Sequence, residues 1–238
     1  MFQESERLKR IRQENAGFEK ESPYNFCDRW CERCSQEKQM RCKLYQDEFE
    51  QKITCIAHGR EPYDPEITEQ VISKQFEDIE EKIEQFMEEN EIDFDDIDNP
   101  EFEKIRNHIE FVENNSLDAT AEQYHKRAHK FLKDTFYDKK KISSKLVFDF
   151  ETLAWYHTLL PVKLHRALCG FHEPVNEDEF ALCDAVAQFA ICKKTVNNSV
   201  QALRKIEPNY PDYKNLIVEL LALLHNILSR IEAMEESI

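Results

Sequence analysis

Only three glycines, Gly17, Gly59 and Gly170, occur in a chain of 238 residues, and this limits the fold more than any other feature. Glycine supplies the left-handed backbone of tight hairpins and phosphate-cradling loops. Sandwiches, barrels and glycine-rich nucleotide loops lack the material to form, so the expected class is all-α. Periodicity agrees with this. Asp64 reads as a cap and Pro65 as a first helical residue, and Ile67, Val71, Ile72, Phe76, Ile79, Ile83 and Phe86 follow at spacings of three and four, which predicts a long amphipathic helix to about Asn90.

The same reading places further helices at about Leu44 to His58, from Pro100 through Val112, from Leu117 to Tyr137, from Leu146 to Cys169, from Glu177 to Ile206 and from Tyr213 to Ala233. Gly170 reads as the αL residue that ends one of them, and Pro161 as a kink within it. Glu91 to Asn99 reads as an acidic connector and Lys139 to Lys141 as a loop. Residues 1–24 read as a polar arm, mobile or a frayed helix ending at Pro23, 25–60 as a cysteine knuckle with a short helix, and 61–238 as an antiparallel bundle of about five to six helices. The alanines at 181, 185, 187 and 190 put the helix from Glu177 at its centre, because small side chains admit a close neighbour.

A bilayer crossing needs about 18 to 20 apolar residues, whereas the most apolar stretch, Leu216 to Leu224, is short and interrupted by Glu219. A membrane span is therefore excluded. The net charge is -16 and unevenly placed. From Asp64 to Glu103, 17 Asp and Glu stand against Lys74 and Lys82, a balance of -15, while from Lys126 to Lys145 eight Lys and Arg stand against Asp134 and Asp138, a balance of +6. The overall negative field opposes a polyanion, so nucleic-acid binding is not expected. The charged start of the chain lacks the apolar region of a secretory signal, and the expected compartment is the cytoplasm. There, clustered cysteines favour a metal or free thiols over disulfides.

The strongest chemical signal is Cys27, Cys31, Cys34 and Cys42, spaced C-x3-C-x2-C-x7-C within NFCDRWCERCSQEKQMRC. Four thiols this close in sequence can converge on one tetrahedral zinc ion, with sulfurs about 4 Å apart and about 2.3 Å from the metal. An iron-sulfur cluster uses the same donors. The first three cysteines resemble the cluster-binding run of radical S-adenosylmethionine enzymes, but the barrel of that family needs strands and glycine-rich loops, which this chain lacks. Arg29, Arg33, Lys38, Arg41 and Lys43 surround the thiols and would offset thiolate charge. Cys55 and His58 form a further C-x2-H pair on the next helix.

Other polar residues fall at helical spacing. Glu122 and His125 form an E-x-x-H, with His129 one turn further on the same face; di-metal carboxylate bundles carry this motif on two helices, and this chain has it once, so the match is incomplete. His157, Lys163, Asp184 and Glu219 form a possible second polar or metal site inside the bundle, near the carbonyl that Pro161 frees. No P-loop, G-x-G-x-x-G, H-E-x-x-H or G-x-S-x-G occurs, so the sequence names no reaction. The expected function is a metal-binding interaction or regulatory module with a protein partner. The alternative is a redox protein or enzyme using an iron-sulfur cluster or the second site.

Overall fold

The computed structural model describes residues 5–89, 100–138, 142–173 and 179–238. Among them the chain is all-helical, with α1 Glu6–Glu21, α2 Gln36–Arg41, α3 Lys43–Ala57, α4 Pro65–Glu89, α5 Pro100–Glu113, α6 Ser116–Leu132, α7 Val147–Phe171, α8 Phe180–Ile206 and α9 Lys214–Glu236. The expected acidic connector at Glu91 to Asn99 and the loop at Lys139 to Lys141 lie outside the described residues. None of the described helices is long and apolar enough to cross a membrane.

Four helices close a ring, α6 on α7, α7 on α8, α8 on α9 and α9 on α6. Cross-pairs show that neighbours run antiparallel. Asp118 meets His165 and Phe131 meets Phe150 between α6 and α7, Arg166 meets Asp184 and Asp149 meets Lys205 between α7 and α8, and Ser116 meets Arg230 and Arg127 meets Glu219 between α6 and α9. Leu117, Tyr124, Phe131, Phe150, Leu160, Phe189, Leu203 and Leu224 fill the interior. Burial of such side chains contributes about 1.5–3 kcal/mol each, which makes this ring the stable unit of the chain.

The structure corrects several expectations. Nine described helices replace the expected five to six, and the bundle itself takes only four. The polar arm is helix α1, capped by Ser5 Oγ accepting from Leu8 N at 3.0 Å. Its Leu8 and Ile11 are buried against Leu182 and Val186 of α8, and Asn15 donates to the Cys183 carbonyl at 2.8 Å. Charge masked this docking in the sequence, because two apolar residues one turn apart are enough to dock a helix whose other faces stay wet. Gly170 does not cap α7. It sits inside the helix, where an added Cβ would drive into the Ala181 carbonyl oxygen, so this glycine is the close-approach residue of the α7/α8 crossing.

The long helix after Asp64 forms as expected, and Asp64 Oδ1 accepts from the backbone N–H of Glu66 and Ile67. Helix α4 nonetheless packs on α3 rather than into the ring. Pro161 stands within a continuous α7.

Candidate functional site

The cysteine segment lies across the face of the bundle formed by α7 and α8. Its anchor is Asp28, between Cys27 and Arg29. Tyr156 Oη donates to Asp28 Oδ2 at 2.8 Å, Lys194 Nζ lies 2.7 Å from the same oxygen, and Trp155 Nε1 donates to the Asp28 carbonyl at 2.9 Å. Burial alone would raise the Asp28 carboxyl, but hydrogen bonds from Lys194 and Tyr156 outweigh it and hold the group below the usual range. Burial and the neighbouring Asp28 charge push the Tyr156 hydroxyl up to about 12, so it stays a donor. Asn198 Nδ2 donates to Tyr156 Oη at 3.1 Å and completes the chain of contacts.

Two residues further on, Trp30 is buried and stacks on Trp155 with ring centroids 5.3 Å apart. These are the only two tryptophans in the sequence. Arg33 covers the outer face of Trp30 at 3.2 Å and donates to Thr152 Oγ1 at 3.1 Å. A cation over an indole face is favourable by about 0.5–2 kcal/mol, so Arg33 acts here as a clamp on the bundle.

Behind this latch is a cavity of about 460 Å³, lined by Cys27, Cys31, Cys34 and Cys42 on one side and by Tyr156, Lys194 and Asn198 on the other, with Arg29, Arg33, Lys38 and Tyr45 also on its walls. Local backbone positions the thiols. Arg29 adopts a left-handed φ of 53°, an unusual conformation for a side chain of its size, and this turns its backbone N–H onto Cys27 Sγ at 3.4 Å. A sulfur that accepts a backbone N–H is better able to carry negative charge. Cys31 opens a short 3-10 turn that ends before Cys34, and Ser35 caps α2, which delivers Cys42 at its far end.

Desolvation raises the thiols of Cys27 and Cys31, and the neighbouring cysteines add to the effect. All eight cysteines are free thiols. Among the described residues no three His, Cys, Asp or Glu side chains converge tightly enough to hold one metal ion as they stand. The four thiols ring a space rather than meet at a point. Cys55 is buried on α3, and neither it nor His58 lines the cavity.

The residues expected to form a second site are dispersed. His157 is buried and faces α6, where its ring lies against those of His125 and His129 at centroid distances of 5.2 and 5.7 Å. Asp184 pairs with Arg166 at 2.7 Å and accepts from Gln188 at 3.0 Å. Nine residues separate His157 from Arg166, or about 13 Å along α7, so His157 and Asp184 serve different contacts. Glu219 pairs with Arg127 at the surface. Lys163 belongs to the cysteine side. It is buried on α7, where burial lowers its pKa, with the charges of Arg29 and Arg166 adding to the effect, while Cys27 and Cys192 oppose it. Of Glu122, His125 and His129, only the two histidines lie against the His157 ring.

Sequence reasoning found the four cysteines and missed Asp28, Trp30 and Trp155, which hold them in place. The one available signal was a tryptophan inside a polar segment. No protein-family model matches the chain, and no curated protein or solved structure is significantly similar to it.

Proposed function

We propose that Cys27, Cys31, Cys34 and Cys42 hold a metal centre, and that the protein acts through contacts with a protein partner as an interaction or regulatory module. The observation that carries this reading is that all four thiols line one cavity whose opposite wall belongs to the bundle. Zinc is the occupant in this reading. Small inward movements of the Cys31 to Cys34 turn and of α2 would close the thiols to the spacing of a tetrahedral ion, and the metal would then staple residues 27–42 against α7 and α8.

A second reading is favoured by the size of the cavity. About 460 Å³ is the volume of a small-ligand pocket and more than one four-coordinate ion fills. Thiols spread around such a space suit an iron-sulfur cluster, which spans a wider ligand set, and would make the protein a redox protein or an enzyme.

Elemental analysis and an absorption spectrum of protein purified without chelator test both readings. One zinc per chain without colour supports the first, and iron with a band near about 400 nm supports the second. Cys34→Ser is expected to release the metal and Cys183→Ser, on α8, to retain it. Metal-free protein, or equal metal loss in both variants, overturns the assignment.

A further inference from the structure

Helix α4 carries a second unassigned feature. Ile72, Phe76, Ile79 and Ile83 are 43%, 61%, 50% and 47% exposed, although their spacing puts them within about 60° of one another on the helix. Four large apolar side chains in one open stripe are not the single exposed hydrophobics that any surface tolerates. The face turned to α3 is a different one, marked by buried Ile67. The stripe therefore follows the 3-4 spacing of a helix-pairing seam while no helix lies on it among the described residues.

Charge identifies the complement. Glu66, Glu69, Glu77, Glu80 and Glu84 are exposed along one flank of the stripe, while Lys82 borders its opposite flank and Lys74 lies at the back of the helix. From Pro65 to Glu89, nine Asp and Glu oppose two Lys, a net -7. Pairing α4 with a second copy of itself would bring two such helices together within a chain already at -16, so repulsion opposes that occupant. A helix with an apolar stripe and a lysine- or arginine-rich border satisfies both features at once, through apolar anchors at i, i+4, i+7 and i+11 and ion pairs along one rim.

We propose that the Ile72/Phe76/Ile79/Ile83 face of α4 is the docking surface for a basic amphipathic helix of a partner protein. This surface lies outside the cysteine cavity. Its test does not depend on the metal assay, so either reading can fail alone.

The test uses the full chain and a fluorescent helical peptide of about three heptads, with Leu at the seam positions and Lys along one border. Two controls keep the length, one with Glu in place of Lys and one with Ser in place of Leu. The Leu/Lys peptide is expected to bind in the micromolar range at physiological ionic strength, and each control at least about tenfold more weakly. Phe76→Glu combined with Ile83→Glu is expected to weaken binding by at least about tenfold, with helical circular dichroism unchanged because both positions are already exposed.

Several results would overturn the proposal. These are equal binding of the Leu/Lys and Ser/Lys peptides, which would reduce the effect to bulk charge; undiminished binding by the double variant; or no binding at all. A dimer of the wild-type chain in sedimentation that the double variant abolishes would make a second copy the occupant instead, and closure of α4 onto α5 would show as no binding with wild-type protein monomeric.

Discussion

His125 donates its Nδ1–H to the carbonyl oxygen of His157, 3.0 Å away. That oxygen is the one left without a helical donor by Pro161, four residues on. A carbonyl only accepts, so the contact fixes the His125 tautomer. His157 in turn donates its own Nδ1–H to the Ala154 carbonyl at 2.7 Å, which leaves its Nε2 buried without a partner. The proline is tolerated inside α7 because a side chain from α6 replaces the missing donor.

This relationship predicts a rescue. His125→Leu strands the His157 carbonyl and is expected to lower stability by about 1–3 kcal/mol. Pro161→Ala restores the backbone N–H, and in the His125→Leu background it is expected to recover part of the loss. Urea unfolding of the two single variants and the double variant checks this, and strictly additive losses would count against the proposed substitution of donors.

The same histidine sets a pH dependence. Burial lowers the His157 pKa from 6.5 to about 4, with His125 and His129 adding repulsion. Below pH 6.5 the unfolded chain binds a proton that the folded chain refuses, so stability is full above that value, falls between 6.5 and about 4 and levels off below. The loss attributable to this group is at most about 3 kcal/mol. Urea midpoints measured at several pH values are expected to fall further between pH 6.5 and about 4 in wild type than in His157→Leu, and equal falls in the two proteins would remove His157 as the cause.

Much of the fold was legible because long helices advertise themselves. Asp64, Pro65 and the apolar spacing after them place α4 correctly, and the alanines of α8 mark the α7/α8 crossing. Helix α1 was legible only as one alternative, a frayed helix ending at Pro23, and its docking was not, since only Leu8 and Ile11 dock it and the charged residues around them hide a two-residue stripe. That the four cysteines gather around one cavity could be anticipated from spacing alone, because they lie close together in sequence. Their anchoring could not, because Asp28 and Trp30 find Tyr156, Trp155 and Lys194 from more than a hundred residues away. His157 falls on the apolar stripe of its helix and is buried, yet periodicity cannot say which neighbour a buried side chain meets.

Lys163 offers a test of the cysteine site that leaves every ligand in place. A buried ammonium is costly unless paired, and a four-thiolate centre carries net negative charge. If the metal centre forms, Lys163→Met is expected to weaken metal retention against a competing chelator by about tenfold or more, whereas Lys163→Arg retains it. Equal retention in all three proteins would remove Lys163 from the site.

Chelation should separate the two parts of the molecule. The segment around residues 27–42 has few apolar groups of its own, while the ring of α6 to α9 has a full core. If the metal centre forms, removing it is therefore expected to loosen the Trp30–Trp155 stack and shift tryptophan fluorescence, with most helical circular dichroism intact. Trp155→Ala should produce the same loosening in the metal-loaded protein and cost about 3–5 kcal/mol or less, since Trp155 is only partly covered. Global unfolding on chelation would instead make the metal part of the bundle.

The last prediction turns on a competition between two effects at Gly170. Replacing a glycine inside a helix with alanine ordinarily stabilises by about 1 kcal/mol, through lower backbone entropy in the unfolded chain and better helix propensity. At this position the new Cβ would meet the Ala181 carbonyl oxygen and press on the Ala185 Cβ at 3.3 Å. The obstacle is backbone of α8 rather than the end of a flexible side chain, so it cannot rotate away. Relief requires α7 and α8 to separate at their closest approach, and overpacking of this kind costs about 1–3 kcal/mol. The packing effect is the larger, so Gly170→Ala is expected to destabilise the protein where a propensity scale predicts the reverse. Ala190→Gly, on the exposed side of α8, provides the control and should lose only about 1 kcal/mol. Thermal unfolding of the two variants decides the point, and a Gly170→Ala protein more stable than wild type would show that the α7/α8 crossing is looser than its geometry indicates.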